Sequence, residues 1–100
     1  MIQIPKHVLI EALTEADIPE ENIDWKYSTG YGSRTFVSFV SEDGHRALAR
    51  LCTVLGSMAE VEGEEDIDLH IAMSVAESAT VMQRGRRSGF YFPGVEVVES

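Results

Sequence analysis

Two short segments crowd eleven carboxylates together: Glu15, Asp17, Glu20, Glu21 and Asp24 in EADIPEENID, and Glu60, Glu62, Glu64, Glu65, Asp66 and Asp68 in EVEGEEDID. As solvated loops, such blocks keep a small protein soluble. Laid out on a surface they imitate the phosphates of a nucleic acid or meet a basic groove. Complementarity of that kind speeds association and selects partners, even where it adds little affinity. Calcium ligation would need the D-x-D-x-D-G loop with a glutamate at its twelfth position, and neither segment has it.

The sequence RGRRSG places Arg84, Arg86 and Arg87 in a glycine-containing turn just before Phe90, Tyr91 and Phe92. Guanidinium forks beside aromatic rings can grip phosphate and stack on bases. The plainer account is intramolecular: the arginines pair with the acidic loops, or Arg84 offsets the negative end of a helix.

Other candidates are weaker. STGYGS holds a Gly-x-Gly, but a phosphate cradle needs such glycines to open a helix after a strand, and this one lies between two strand-like segments. His7, His45 and His70 sit in separate segments without ligand spacing, so no metal and no cofactor are expected. Cys52 stands among Leu48, Leu51 and Leu55, as a small apolar residue does. A cysteine nucleophile needs a base, and His45 is seven residues away, about 10 Å along a helix. No G-x-S-x-G is present. The chain is therefore not expected to be an enzyme, with a small enzyme lacking any recognisable motif as a remaining alternative.

These residues must be positioned by a chain of 100 residues, 44% hydrophobic and 25% charged, which suits one globular domain spanning residues 1–100. With 8 bases against 17 acids its formal net charge is −9. A field of that sign repels nucleic acid and anionic lipid and attracts basic partners. A single cysteine closes no intrachain bridge, and no leader-like segment or membrane-length apolar run is seen. A cytoplasmic location is expected.

Residues 5–18 read as a helix, with Pro5 at its start, Leu9, Leu13 and Ala16 on one face, and Pro19 beyond its end. Residues 23–28 and 34–40 are aromatic and β-branched and flank the glycine-containing loop, the pattern of an antiparallel hairpin. A second helix follows Ser41 or Asp43 as cap, carries Leu48, Leu51, Leu55 and Met58 on one face, and closes at Gly63 with a fray at Gly56. Residues 67–84 admit two readings. Ile67, Leu69, Ile71, Met73 and Val75 alternate as in a strand, whereas the alanines, Met82, Glu77 and Gln83 favour a helix that stops at Arg84-Gly85. A strand of that length without a turn would be about three times the usual size, so the helix is preferred. The tail gives a turn at 85–89, then strand-like 90–92 and 95–98 around a Pro93-Gly94 bend.

The expected fold is α+β: two or three helices packed on one face of a small antiparallel sheet. The leading functional expectation is a non-catalytic interaction protein. Its acids, Glu20, Glu21, Asp24, Glu60, Glu62, Glu64, Glu65, Asp66 and Asp68, would engage a basic surface on a partner protein. In size and charge alone it is comparable to phage-encoded inhibitors of nucleic-acid-handling complexes, the DNA mimics and anti-CRISPR proteins. The alternative is an RNA or phosphate contact through Arg84, Arg86 and Arg87, the one place where nucleic acid is expected to bind. A third surface is the aromatic set Trp25, Tyr27 and Tyr31. The apolar tail strand, if it leaves an open sheet edge, would pair two copies into a homodimer.

Overall fold

The chain starts with a strand that its sequence did not announce. In a computed structural model describing residues 2–28, 34–62 and 66–98, strand β1 (Ile2–Pro5) runs parallel to β6 (Val95–Val98), with Ile2 opposite Val95 and Ile4 opposite Val97. Helix α1 therefore occupies Lys6–Glu15 rather than 5–18, and Pro5 is the last strand residue and the helix N-cap. The helix also stops short of Pro19. Asp17 adopts a left-handed conformation (φ 64°), Ile18 N–H bonds the Leu13 carbonyl at 2.8 Å, and Asp17 N–H bonds that of Thr14 at 3.1 Å. That pair of bonds is a Schellman closure, with buried Ile18 as its apolar partner.

After a 3₁₀ turn at Glu20–Asn22, β2 (Asp24–Ser28) and β3 (Arg34–Val40) form the expected antiparallel hairpin. Its loop, including the Gly-x-Gly and Tyr31, lies outside the described residues. Helix α2 (Gly44–Glu62) is capped by Asp43, whose Oδ1 accepts from Arg46 N–H at 3.0 Å. Ser41 instead receives the Asp43 amide on its hydroxyl. The helix passes through Gly56 without interruption, and the stop expected at Gly63 is outside the described residues.

Residues 67–84 are neither the single helix nor the single strand that the sequence suggests. Helix α3 covers Ile67–Glu77, and after Ser78-Ala79 the chain extends into β4 (Thr80–Arg84). Tight helix-end bonds from Ser78 and Ala79 back to Val75 and Ala76 make the switch without glycine or proline. A two-residue turn, Gly85-Arg86, then leads into β5 (Arg87–Pro93), so the turn is shorter and the strand longer than expected. The Pro93-Gly94 bend is present, with Gly94 at φ 73°, and it takes the chain out of one sheet and into the other.

The main sheet has the order β2-β3-β5-β4, antiparallel throughout. Strand β5 is thus paired on both sides, so Phe90–Phe92 offers no open edge. Of the tail expected to pair two copies, β6 alone keeps an unpaired side among the described residues, since it pairs only with β1. The α+β fold expected from the sequence is the one found, with three helices, the four-stranded sheet and a parallel pair. Val37, Phe39, Phe90 and Phe92 face the helices and meet Leu9, Leu13, Leu51, Leu55 and Leu69 in a continuous core. Phe90 packs edge-to-face on Phe39 and Phe92, with ring centroids 5.0 and 6.4 Å away. Leu48 and Met58 lie at the margin of that core, and buried Ala59 takes part in the apolar face of α2. No helix of the described residues is long and apolar enough to cross a membrane.

Candidate functional site

The carboxylates of the described residues do not form one surface. Asp17 is held by Arg50 on the first half of α2, at 3.0 Å. Exposed Glu20 and Glu21 follow on the 3₁₀ turn, and Asp24 opens β2 opposite Ser38, close to where β3 leads into α2. Glu60 lies ten residues beyond Arg50, about 15 Å along the helix. Asp66 and Asp68 begin α3 near that far end. The described residues of the two acidic segments therefore lie towards opposite ends of α2. Glu62 is the last residue of that helix, and Glu64 and Glu65 fall outside the described residues.

Asp66 has a structural task as well. Its Oδ1 accepts from Leu69 N–H at 3.1 Å, capping α3, and Asp68 adds a favourable charge in the first turn. By contrast Glu20, Glu21, Asp24 and Glu60 are exposed and meet no base among the described residues.

The three arginines are divided by strand geometry. Arg86, in the turn, points towards Glu42 with Nε 3.8 Å from Oε1, both side chains well exposed. Around it the β4–β5 hairpin is strapped to the start of α2. Ser41 N–H donates to the Arg86 carbonyl at 2.8 Å, Ser88 Oγ donates to the Ser41 carbonyl at 2.8 Å, and Gln83 bonds both Gly44 N–H and the Glu42 carbonyl. Arg84 and Arg87 are register partners, and both project from the face of the sheet opposite the helices. Arg84 belongs to a strand, so it compensates no helix end. Arg87 donates to Ser38 Oγ at 3.0 Å.

Besides Asp24, Tyr91, Arg84 and Arg87, which the sequence singles out, that outer face carries Lys26, Phe36, Val40 and Met82, which it does not. Across it run Lys26, Phe36, Tyr91 and Thr80 in one row, Asp24, Ser38, Gly89 and Met82 in the next, and Val40, Arg87 and Arg84 in a third. Phe36 reaches across Gly89 so closely that a Cβ there would lie 2.4 Å from its Cζ. Val40 is 69% and Met82 53% exposed. In the sequence, apolar residues occupy both parities of TFVSFV, which hid the split; the glycine opposite an aromatic was the available clue. Trp25 belongs to the other face, opposite Val37 and against the core, with Lys6 Nζ 5.2 Å from its ring centroid. The side chain of Tyr27 and all of Tyr31 lie outside what is described.

His7, His45 and His70 are exposed on three different helices, and no three potential metal ligands come together among the described residues. Cys52 is partly buried on α2. Burial pushes its thiol above the ordinary range, and the nearby Glu77 carboxylate adds to the effect, which favours the unreactive protonated form. An open groove of about 460 Å³ between the end of α1, the end of β3 and α2 has Arg46 and Arg50 facing Asp17, Glu42 and Asp43, so its charges are mixed.

No family model matches the chain, and no curated protein or solved structure shows significant similarity to it.

Proposed function

We propose that the protein is a non-catalytic interaction protein that engages a basic surface on a partner protein through its 15–24 edge, acting in the cytoplasm. The observation supporting this reading is the run of exposed carboxylates, Glu15, Glu20, Glu21 and Asp24, on adjoining elements and without a base beside them among the described residues. Asp17, bound to Arg50, links that edge to α2. Charges held so on a fold steer an oppositely charged partner and define its orientation. The same disposition suits an inhibitor that occupies a groove built for nucleic acid. Towards the far end of α2 Glu60 is also exposed, and Asp66 is committed to capping its helix.

The test uses a partner captured by the tagged full chain and then purified. Combining Glu20→Gln, Glu21→Gln and Asp24→Asn is expected to slow association by about tenfold at low salt and to flatten its salt dependence. Glu60→Gln with Asp68→Asn is the matched control and is expected to change the rate little. Equal effects of the two sets, or none from the first, reject the 15–24 edge as the contact.

A further inference from the structure

We propose that the outer face of the four-stranded sheet is a binding site for single-stranded nucleic acid, with phosphates at Arg84, Arg87 and Lys26 and bases against Phe36 and Tyr91. This site adjoins the acidic edge at Asp24 but uses other residues, and either can fail without the other.

Arg84 and Arg87 stand directly opposite each other across two strands. Like charges so placed work against folding, and among the described residues neither guanidinium meets a carboxylate. An anion supplied from outside relieves that repulsion, and a phosphodiester matches the guanidinium fork. Lys26 marks the opposite corner of the face. From strand spacing and rise, it lies about 20 Å from Arg84 along the diagonal, the span of a few nucleotides of extended strand.

Between these corners are the two aromatic residues. Phe36 and Tyr91 are cross-strand partners, both half-buried, and glycine at position 89 lets the Phe36 ring settle onto the sheet. Rings on a pleated surface, set between cations, form a stacking platform that accepts any base, because every base has a π-face. No helix of the described residues covers this side, since all three pack on the other.

Charge complementarity also selects the kind of polyanion. Asp24 borders Lys26 on the same face, and the acidic 15–24 edge lies beyond it. A duplex or an anionic membrane is broad enough to meet that edge and be repelled. A flexible single strand can follow the cationic diagonal alone.

The experiment is fluorescence anisotropy of the full chain with short labelled oligothymidylate and oligouridylate, with phosphatidylserine/phosphatidylcholine vesicles and inorganic polyphosphate as competitors. Three phosphate contacts give a log–log salt slope of about −2. Arg84→Gln with Arg87→Gln, both on the surface, is expected to weaken binding by at least about tenfold and to bring the slope towards about −0.7. Tyr91→Leu is expected to weaken binding by about tenfold and to leave the slope unchanged, the signature of lost stacking. Circular dichroism and the denaturation midpoint verify that each variant is folded. The proposal is overturned if the wild-type chain fails to bind either oligonucleotide at low salt, or if the arginine pair is neutral. It is also overturned if Tyr91→Leu is neutral, or if vesicles or polyphosphate compete as well as oligonucleotide, which would leave a plain anion patch.

Discussion

The two faces of the four-stranded sheet come from the same strands and differ in almost everything else. On the helix side Val37, Phe39, Phe90 and Phe92 are buried, and the rings meet edge-to-face. On the other side Phe36 and Tyr91 alternate with them in sequence, yet they share their surface with Lys26, Arg84 and Arg87. Each face also has one close approach that requires glycine. A Cβ on Gly44, where α2 presses against the β4–β5 hairpin, would lie 2.7 Å from Val81 Cγ1 and 3.0 Å from Ser88 Cβ. At Gly89 the obstacle is mainly the tip of the Phe36 ring. One face is a closed interior and the other a surface of half-buried and exposed side chains. Apolar content in a strand thus does not by itself identify core.

The strongest way to break this comparison is to truncate neighbours on opposite faces. Phe90→Ala is expected to cost about 3–5 kcal/mol, and Leu51→Ala or Leu55→Ala about 2–5 kcal/mol, because each leaves a cavity in the core. Tyr91→Ala is expected to cost about 1 kcal/mol or less, since its ring is already half in water. Chemical denaturation midpoints decide the matter, and similar losses at residues 90 and 91 would mean that the outer face is covered too.

The glycines sharpen the contrast. Gly44→Ala is expected to cost about 1–3 kcal/mol, because Val81 and Ser88 are held on both sides. Gly89→Ala is expected to cost less, because Phe36 can swing into solvent. Thermal unfolding of the two variants reads the order directly, and a reversed order would show that Phe36 is pinned.

A smaller effect separates the acids that build the fold from those that do not. Asp66→Ala is expected to lose about 1 kcal/mol with the α3 cap, while Asp66→Asn, which can still accept from Leu69 N–H, is expected to lose only a few tenths. Glu20→Gln is expected to stay within about 0.5 kcal/mol of the wild type. If Asp66→Asn is as costly as Asp66→Ala, charge rather than capping holds the helix start.

The smallest effect is one of pH. The thiol of Cys52 is raised in the folded protein, first by burial and then by Glu77. The unfolded chain therefore loses that proton at lower pH than the native one, so stability is lost as pH rises through the window beginning at about 9. Cys52→Ala is expected to flatten this alkaline slope, and the wild-type thiol is expected to react slowly with iodoacetamide at neutral pH. Rapid alkylation of the folded protein would contradict the shift.

Local signals in the sequence reported local structure well. Asp43 stands where a helix cap belongs, Leu51 and Leu55 mark the buried stripe of α2, and the β-branched, aromatic runs on either side of the glycine-containing loop gave the first hairpin. The candidate site was legible only in part. Arg84, Arg86 and Arg87 stood out by their crowding beside Tyr91, but Lys26 and Phe36 lie on two other strands, and only pairing register unites them with that set.

What the sequence determined by itself is the class of fold, the helix starts, the first hairpin and the excess of negative charge, because each depends on composition or on residues within a turn or two of one another. Tertiary structure decided the rest. Ile2 found its partner in Val95, residues 67–84 broke into a helix and a strand, β5 was enclosed between β3 and β4, and the acids of the described residues were parted towards the two ends of α2. Each of these outcomes depends on a contact between segments far apart in the chain, where burial of a whole face outweighs the preference of any single residue.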